Sequence, residues 1–271
     1  MSRIFALATI TFLEGIRNRS AFGILLFSLF ILGLNITVAG FFMRDIGKVC
    51  SDMNLSAISF AGLLLVLFVG INLIAKDIDK KTIHLVLSKP ISRVEYIWGK
   101  YIGILFFIIS SLVFLIIISA GVMLSLNIVY NNYFGQFSWL NFFIACFFIL
   151  VKLSVLGAVA IFFSSITTSS FVTLIFSICT YIAGVSIEEV IFYLRSHLAE
   201  GDLTTSIALQ KTINIITYVV PNFSVFDFKI EAAYGLAIGW HRIGISLGYG
   251  LAYSALLLIF SSIIFQRREF H

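Results

Sequence analysis

Lys76-Asp77-Ile78-Asp79-Lys80-Lys81-Thr82, continuing to Leu87-Ser88-Lys89-Pro90-Ile91-Ser92-Arg93 and closing on Gly99-Lys100, is a charged cassette between two apolar runs, 57–75 and 101–126. It holds nine of the Asp, Glu, Lys and Arg side chains of a 271-residue chain that is only 11% charged. Each flanking run is close to or above the ~20 residues a membrane-spanning helix needs. The cassette therefore reads as a water-exposed loop between two spans, offered to a soluble partner.

Four more runs have spanning length: 21–41, 139–163, 171–191 and 243–265. With 60% hydrophobic residues and a mean hydropathy of +1.08, the chain carries more apolar surface than one water-soluble core can hide. The expected fold is an all-α integral membrane protein, one transmembrane domain over residues 1–271 with six spans. The first run lacks a small-residue cleavage site and continues as a full span, so no cleavable signal peptide is read there. Cys50, Cys146 and Cys179 have no metal-ligand spacing and read as membrane filler. The net charge of +5 is a matter of topology here and not of nucleic-acid binding.

With the N-terminus in the cytoplasm, eleven Lys and Arg face inward and six outward, with Lys152 inside a span. That follows the positive-inside rule and predicts cytoplasmic termini. Residues 2–18 mix Ile4, Phe5, Leu7, Phe12 and Leu13 with Arg3, Glu14 and Arg17. They read as a helix in the cytoplasmic interface or as an extension of the first span.

The cassette has a readable grammar. Asp77 or Asp79 can cap a short helix with Ile83, Val86 and Leu87 on its apolar face, and Pro90 ends it. Ser92 and Glu95 then form an S-x-x-E capping box that opens the third span. The alternative is that these charges only enforce topology. Ser164 to Ser170 form an uncharged inner turn, either a second partner contact or a hydroxyl-rich connector. Residues 192–242 are the longest outer segment. Within it, Ile207 to Val220, closed by Pro221 and Asn222, is too short to cross and reads as re-entrant or interfacial.

Catalytic patterns are missing: there is no G-x-S-x-G, H-E-x-x-H, C-x-x-C or P-loop, and the four histidines are scattered. No catalytic residue, metal ligand or bound cofactor is expected on this chain. Asp77-Ile78-Asp79 reads as helix capping before metal binding. Lys152 is the one charge deep in a span, where a cation is costly and usually faces a bundle interior or wet cavity. A pathway role and an intramembrane pair both fit it, with Asn35, Asn72, Glu188 and Glu189 as possible partners. Gly244, Gly248 and Ala252 make a small-residue ladder in the last span, and Gly99 with Gly103 one in the third; packing within the chain is the first reading for both.

Asp77, Thr82, Leu87-Ser88-Lys89-Pro90, Ser92-Arg93, Tyr96 and Gly99-Lys100 resemble the inner loop of ABC-2-type transporter permeases, in particular the branch containing the permease of the nitrous-oxide-reductase maturation system. The likeness extends to the first helix with Glu14 and Arg17, the six spans, an outer segment around Tyr218 to Asp227, and the tail Phe265 to Phe270. It implies that residues 77–92, with Asp77, Asp79, Thr82, Leu87, Ser88, Pro90, Ser92 and Arg93, form a coupling helix seated on a separate ABC ATPase subunit that binds ATP and Mg. It also implies two six-helix chains, copies of one another, assembled with two ATPases in a bacterial or archaeal inner membrane, exporting a substrate. The rival readings are a secondary transporter and an ABC-like mechanotransducer acting on a periplasmic or outer-face partner.

Overall fold

The computed structural model describes residues 2–39, 41, 46–74, 92–129, 137–199 and 220–267. Among them every regular element is helical. In chain order these are α1 (Ser2–Ile16), α2 (Arg19–Ala39), α3 (Ile46–Leu64, continuing as a π-helical turn over Leu65–Gly70), α4 (Arg93–Val129), α5 (Trp139–Ile166), α6 (Ser170–Ala199), α7 (Lys229–Tyr234) and α8 (Trp240–Arg267). Six of them, α2, α3, α4, α5, α6 and α8, are long and apolar enough to cross a membrane. The chain is a multi-pass membrane protein. An even number of crossings puts the start of α2 and the end of α8 on one face, called here the terminal face.

Burial sorts the spans into a centre and a rim. The apolar windows of α3 and α5 are 72% and 78% buried, against 22% for α2 and α6 and 28% for α8. Lipid is as apolar as leucine, so the rim spans can leave Leu26, Phe30, Phe171, Ile182 and Leu251 exposed. The register is antiparallel between α3 and α4, with Gly62 facing Leu112 and Gly70 facing Ile104.

Both α3 and α6 extend beyond their apolar runs. α3 starts at Ile46, eleven residues before its run, because Ile46 and Cys50 bury against Met123 and Leu126 of α4 while Asn35 of α2 donates to the Cys50 carbonyl at 3.2 Å. Hydropathy misses this turn because Lys48, Asp52 and Asn54 dilute it. α6 extends at its other end, to Ala199. The α5–α6 connection is the hydroxyl-rich connector: Thr167 Oγ1 bonds the Phe163 carbonyl at 2.9 Å and Thr173 Oγ1 at 2.6 Å.

At the face opposite the termini, residues 220–236 wedge into the bundle. The stretch 207–219 lies outside the described residues. Pro221 and Asn222 make the turn, with Asn222 Oδ1 accepting the Ser224 amide at 3.0 Å in an Asx turn. Phe223, Phe226 and Phe228 are then fully buried, and Phe228 lies 4.3 Å from Phe148 of α5 between ring centroids. Buried backbone needs partners at this depth, and it finds them. The Phe223 amide donates to the Gly184 carbonyl at 3.0 Å, the Asn222 amide to Tyr249 Oη at 2.9 Å, and Ser246 Oγ to the Val225 carbonyl at 3.1 Å. Arg242 fixes the rim: it pairs with Glu231, donates to the Asp227 carbonyl at 3.2 Å and lies over the Phe228 ring.

Candidate functional site

Asp77, Asp79, Thr82, Leu87, Ser88 and Pro90 lie outside the described residues. Their two anchors, the end of α3 and the start of α4, are described, and both are fastened to the rest of the bundle.

The capping box forms as its sequence predicts. The Glu95 amide donates to Ser92 Oγ at 3.2 Å and the Ser92 amide donates to Glu95 Oε2 at 2.8 Å, so two of the orphan donors at the start of α4 are satisfied reciprocally. One residue on, Arg93 reaches across to α8. Its Nη1 donates to the carbonyls of Phe265 at 3.2 Å and Gln266 at 2.8 Å, groups left without helical partners where α8 ends. Tyr96 stacks on Phe265 with centroids 5.5 Å apart and planes 8° from parallel.

Lys100 ties α4 to α3. Its side chain is buried, and Nζ donates to the Leu73 carbonyl at 2.8 Å while lying over the Tyr96 ring at 5.9 Å. The described residues that flank the cassette, Ile74 and Ser92, therefore lie beside one set of fastenings. Replacing Lys100 with Met keeps its length and removes the charge-assisted bond, which should cost about 1.5–3 kcal/mol. Thermal unfolding of the purified variant in detergent measures this. An unchanged midpoint would show that the bond contributes nothing.

α1 packs lengthwise on the first three turns of α4. A Cβ at Gly99 would sit 2.6 Å from Leu7 Cδ2, and one at Gly103 2.6 Å from Thr11 Cβ and 2.7 Å from the Ala8 carbonyl oxygen. Gly103 has to be glycine because backbone stands where its side chain would go. The ladder read in the third span thus packs within the chain. Leu7, Ala8, Thr11 and Gly15 form the inner face of α1, and Phe5, Ile10, Leu13 and Ile16 remain exposed. Glu14 and Arg17 sit at the other end of α1. With Ile10, Leu13, Asn18, Asn72 and Leu73 they line a cavity of about 590 Å³, so they meet the end of α3 at the residue Lys100 holds.

Lys152 lies apart from this hub, on α5 beneath the wedge. It is 6% exposed, and its Nζ stands over the Tyr181 ring at 5.2 Å. None of the partners considered from sequence meets it. Asn35 bonds Cys50, Asn72 bonds the Phe68 carbonyl within its own helix, and Glu188 and Glu189 are exposed.

The family profile described as ABC-2 family transporter protein matches residues 5–270, from α1 to the tail beyond α8. The chain belongs to the ABC-2 transporter family. No curated protein matches it.

In this ABC-2 transporter protein, the contact of the Arg93 guanidinium with α8 was out of reach of the sequence. The pairing of Tyr96 with Phe265 was equally out of reach, being a contact between residues far apart in the chain. The four-residue spacing of Gly99 and Gly103 was a usable signal for close helix approach, and it did not say which helix approaches. The ladder of the last span behaves differently. No atom of the described residues comes within 4 Å of a Cβ built at Gly244 or Gly248, so none of them fills that face of α8.

Proposed function

We propose that this chain is the permease subunit of an ATP-driven exporter, coupled to its ATPase through residues 77–92. The family implies a partner ATPase subunit, and the chain has no P-loop of its own. The observation that carries the reading is the hub around the cassette. Lys100 to Leu73, Arg93 to Phe265 and Gln266, and Gly103 to Ala8 and Thr11 join the ends of α3, α4, α8 and α1 on either side of one charged loop. A force applied to that loop reaches two central and two peripheral elements at once. ATP-driven rearrangement of the partner then biases the membrane domain between two states, provided its contacts differ between them. On this reading the terminal face is cytoplasmic, the membrane is the inner membrane of a bacterium or archaeon, and α1 lies at the interface with its apolar outer side in lipid.

The test is purification of the chain expressed with its native neighbours. A nucleotide-hydrolysing subunit should come with it. Recovery of the chain alone, stable and without ATPase activity, would contradict the proposal and favour a secondary transporter.

A second permease copy completes the assembly on this reading. The open Gly244–Gly248 face of α8 supports it, since small residues facing outward permit close approach of another helix. Gly248→Leu should convert the purified dimer to a monomer in light scattering, and a dimer of undiminished stability would remove α8 from the seam. The deep wedge of residues 220–236 favours one alternative, a mechanotransducer that moves an outer-face partner. Substrate flux in liposomes separates the two.

A further inference from the structure

Two lysines are buried among the described residues, and their surroundings differ. Lys100 has a carbonyl acceptor at 2.8 Å and an aromatic face at 5.9 Å. Lys152 has only the aromatic face of Tyr181, at 5.2 Å; among the described residues it has no hydrogen-bond acceptor and no ion pair. It stands thirteen residues into α5, about 20 Å along the helix axis from Trp139. Asp227 attracts it and Lys229 repels it at longer range, and the Asp227 carboxylate is exposed and already accepts the Lys229 amide at 3.1 Å. A cation held at such depth without an acceptor among the described residues calls for a partner.

The surroundings say what that partner is. Above Tyr181 sits Phe223, the buried tip of the wedge, at 5.4 Å between centroids. On α8, Tyr249 accepts from the Asn222 amide and neighbours both Phe226, at 5.9 Å, and Tyr253, at 5.8 Å. Val151, next to Lys152, reaches α8 at Gly250, where a Cβ would lie 2.7 Å from its side chain. Lys152 is thus a buried cation in an aromatic setting, at the seam of α5, α6, α8 and the wedge, with no carboxylate paired to it among the described residues. That composition fits an anionic group attached to an apolar body.

We propose that Lys152 is the recognition point for the anionic head of an amphiphile, a phosphate or carboxylate, bound beneath the wedge, and that the transported substrate belongs to this class. The assignment of substrate class rests on the permease reading; the binding site does not. Lys152 is a binding residue, Tyr181 holds its side chain, and the wedge separates the site from the opposite face of the bundle.

The experiment is binding of dodecyl phosphate to the full chain in nanodiscs of zwitterionic lipid, with dodecanol, dodecyltrimethylammonium and inorganic phosphate as comparisons. The wild type should prefer dodecyl phosphate at least ten-fold over dodecanol and the ammonium amphiphile. Lys152→Met should lose that preference and Lys152→Arg should keep it. Inorganic phosphate competing equally well would mean a water-borne anion and would overturn the amphiphile, and its failure to compete would support it. Equal binding of the three dodecyl compounds by the wild type, or undiminished phosphate preference in Lys152→Met, overturns the proposal. Should Lys152→Met fail to fold, the wild-type ranking and Lys152→Arg decide it. No ATPase enters the assay, so a negative result here leaves the permease reading standing, and loss of the ATPase partner leaves this site standing.

Discussion

Gly103→Leu should detach α1 from α4. The new side chain would start 2.6 Å from Thr11 Cβ and 2.7 Å from the Ala8 carbonyl oxygen, and the second of these is backbone that no rotamer change can move aside. Overpacking of this kind costs about 1–3 kcal/mol, or a melting shift of the order of 5 °C for a domain of this size. The functional effect should be larger than the stability effect. α1 carries Glu14 and Arg17, which line the cavity against Asn72 and Leu73, so its displacement opens the hub on the α3 side. Protease access to α1 in the intact protein measures detachment directly. Gly103→Ala should give a weaker version of the same result, and a leucine variant with wild-type protection and melting would show that α1 is not held there.

The second large effect is expected at Arg93. Changing it to Glu replaces two donated bonds, to the carbonyls of Phe265 and Gln266, with a carboxylate facing those same oxygens. It also puts a negative charge at the negative end of α8. Loss of hydrogen bonds to a charged group costs about 1.5–3 kcal/mol, and the repulsion adds to it. The six spans should still form, because their burial does not depend on this contact. The end of α8 should no longer follow the start of α4. In the complex with its ATPase, hydrolysis should persist while the membrane domain's influence on its rate is lost, and Arg93→Lys, which can make one of the two bonds, should fall between. Wild-type coupling in Arg93→Glu would mean that α8 takes no part in transmission.

The sequence made the six spans legible because lipid imposes one local requirement, about 20 apolar residues in a row. The same rule hid the first turns of α3, where burial comes from Met123 and Asn35 in other spans. The start of α4 was legible to the residue, since a capping box is a contact between Ser92 and Glu95 and needs nothing distant. The hub was not, because Arg93 with α8 and Lys100 with α3 join residues that are remote in sequence. Lys152 shows both limits. Its depth could be counted from the span, while Tyr181 and the wedge could not be chosen over Asn35, Asn72 or Glu188 without coordinates. Small-residue ladders were ambiguous for the same reason: Gly103 meets α1 and Gly248 meets none of the described residues, although both follow one spacing.

The central claim is that residues 77–92 transmit the action of an ATPase into this hub. The most direct measurement is the ATPase rate of the co-purified complex with Asp77 and Asp79 both changed to Lys. The reversal should lower the rate, or its response to the membrane subunit, by about ten-fold or more, with helix content and melting of the membrane subunit unchanged. A reversed complex that assembles and hydrolyses ATP as the wild type does would show that the cassette is a topological marker and not the coupling element.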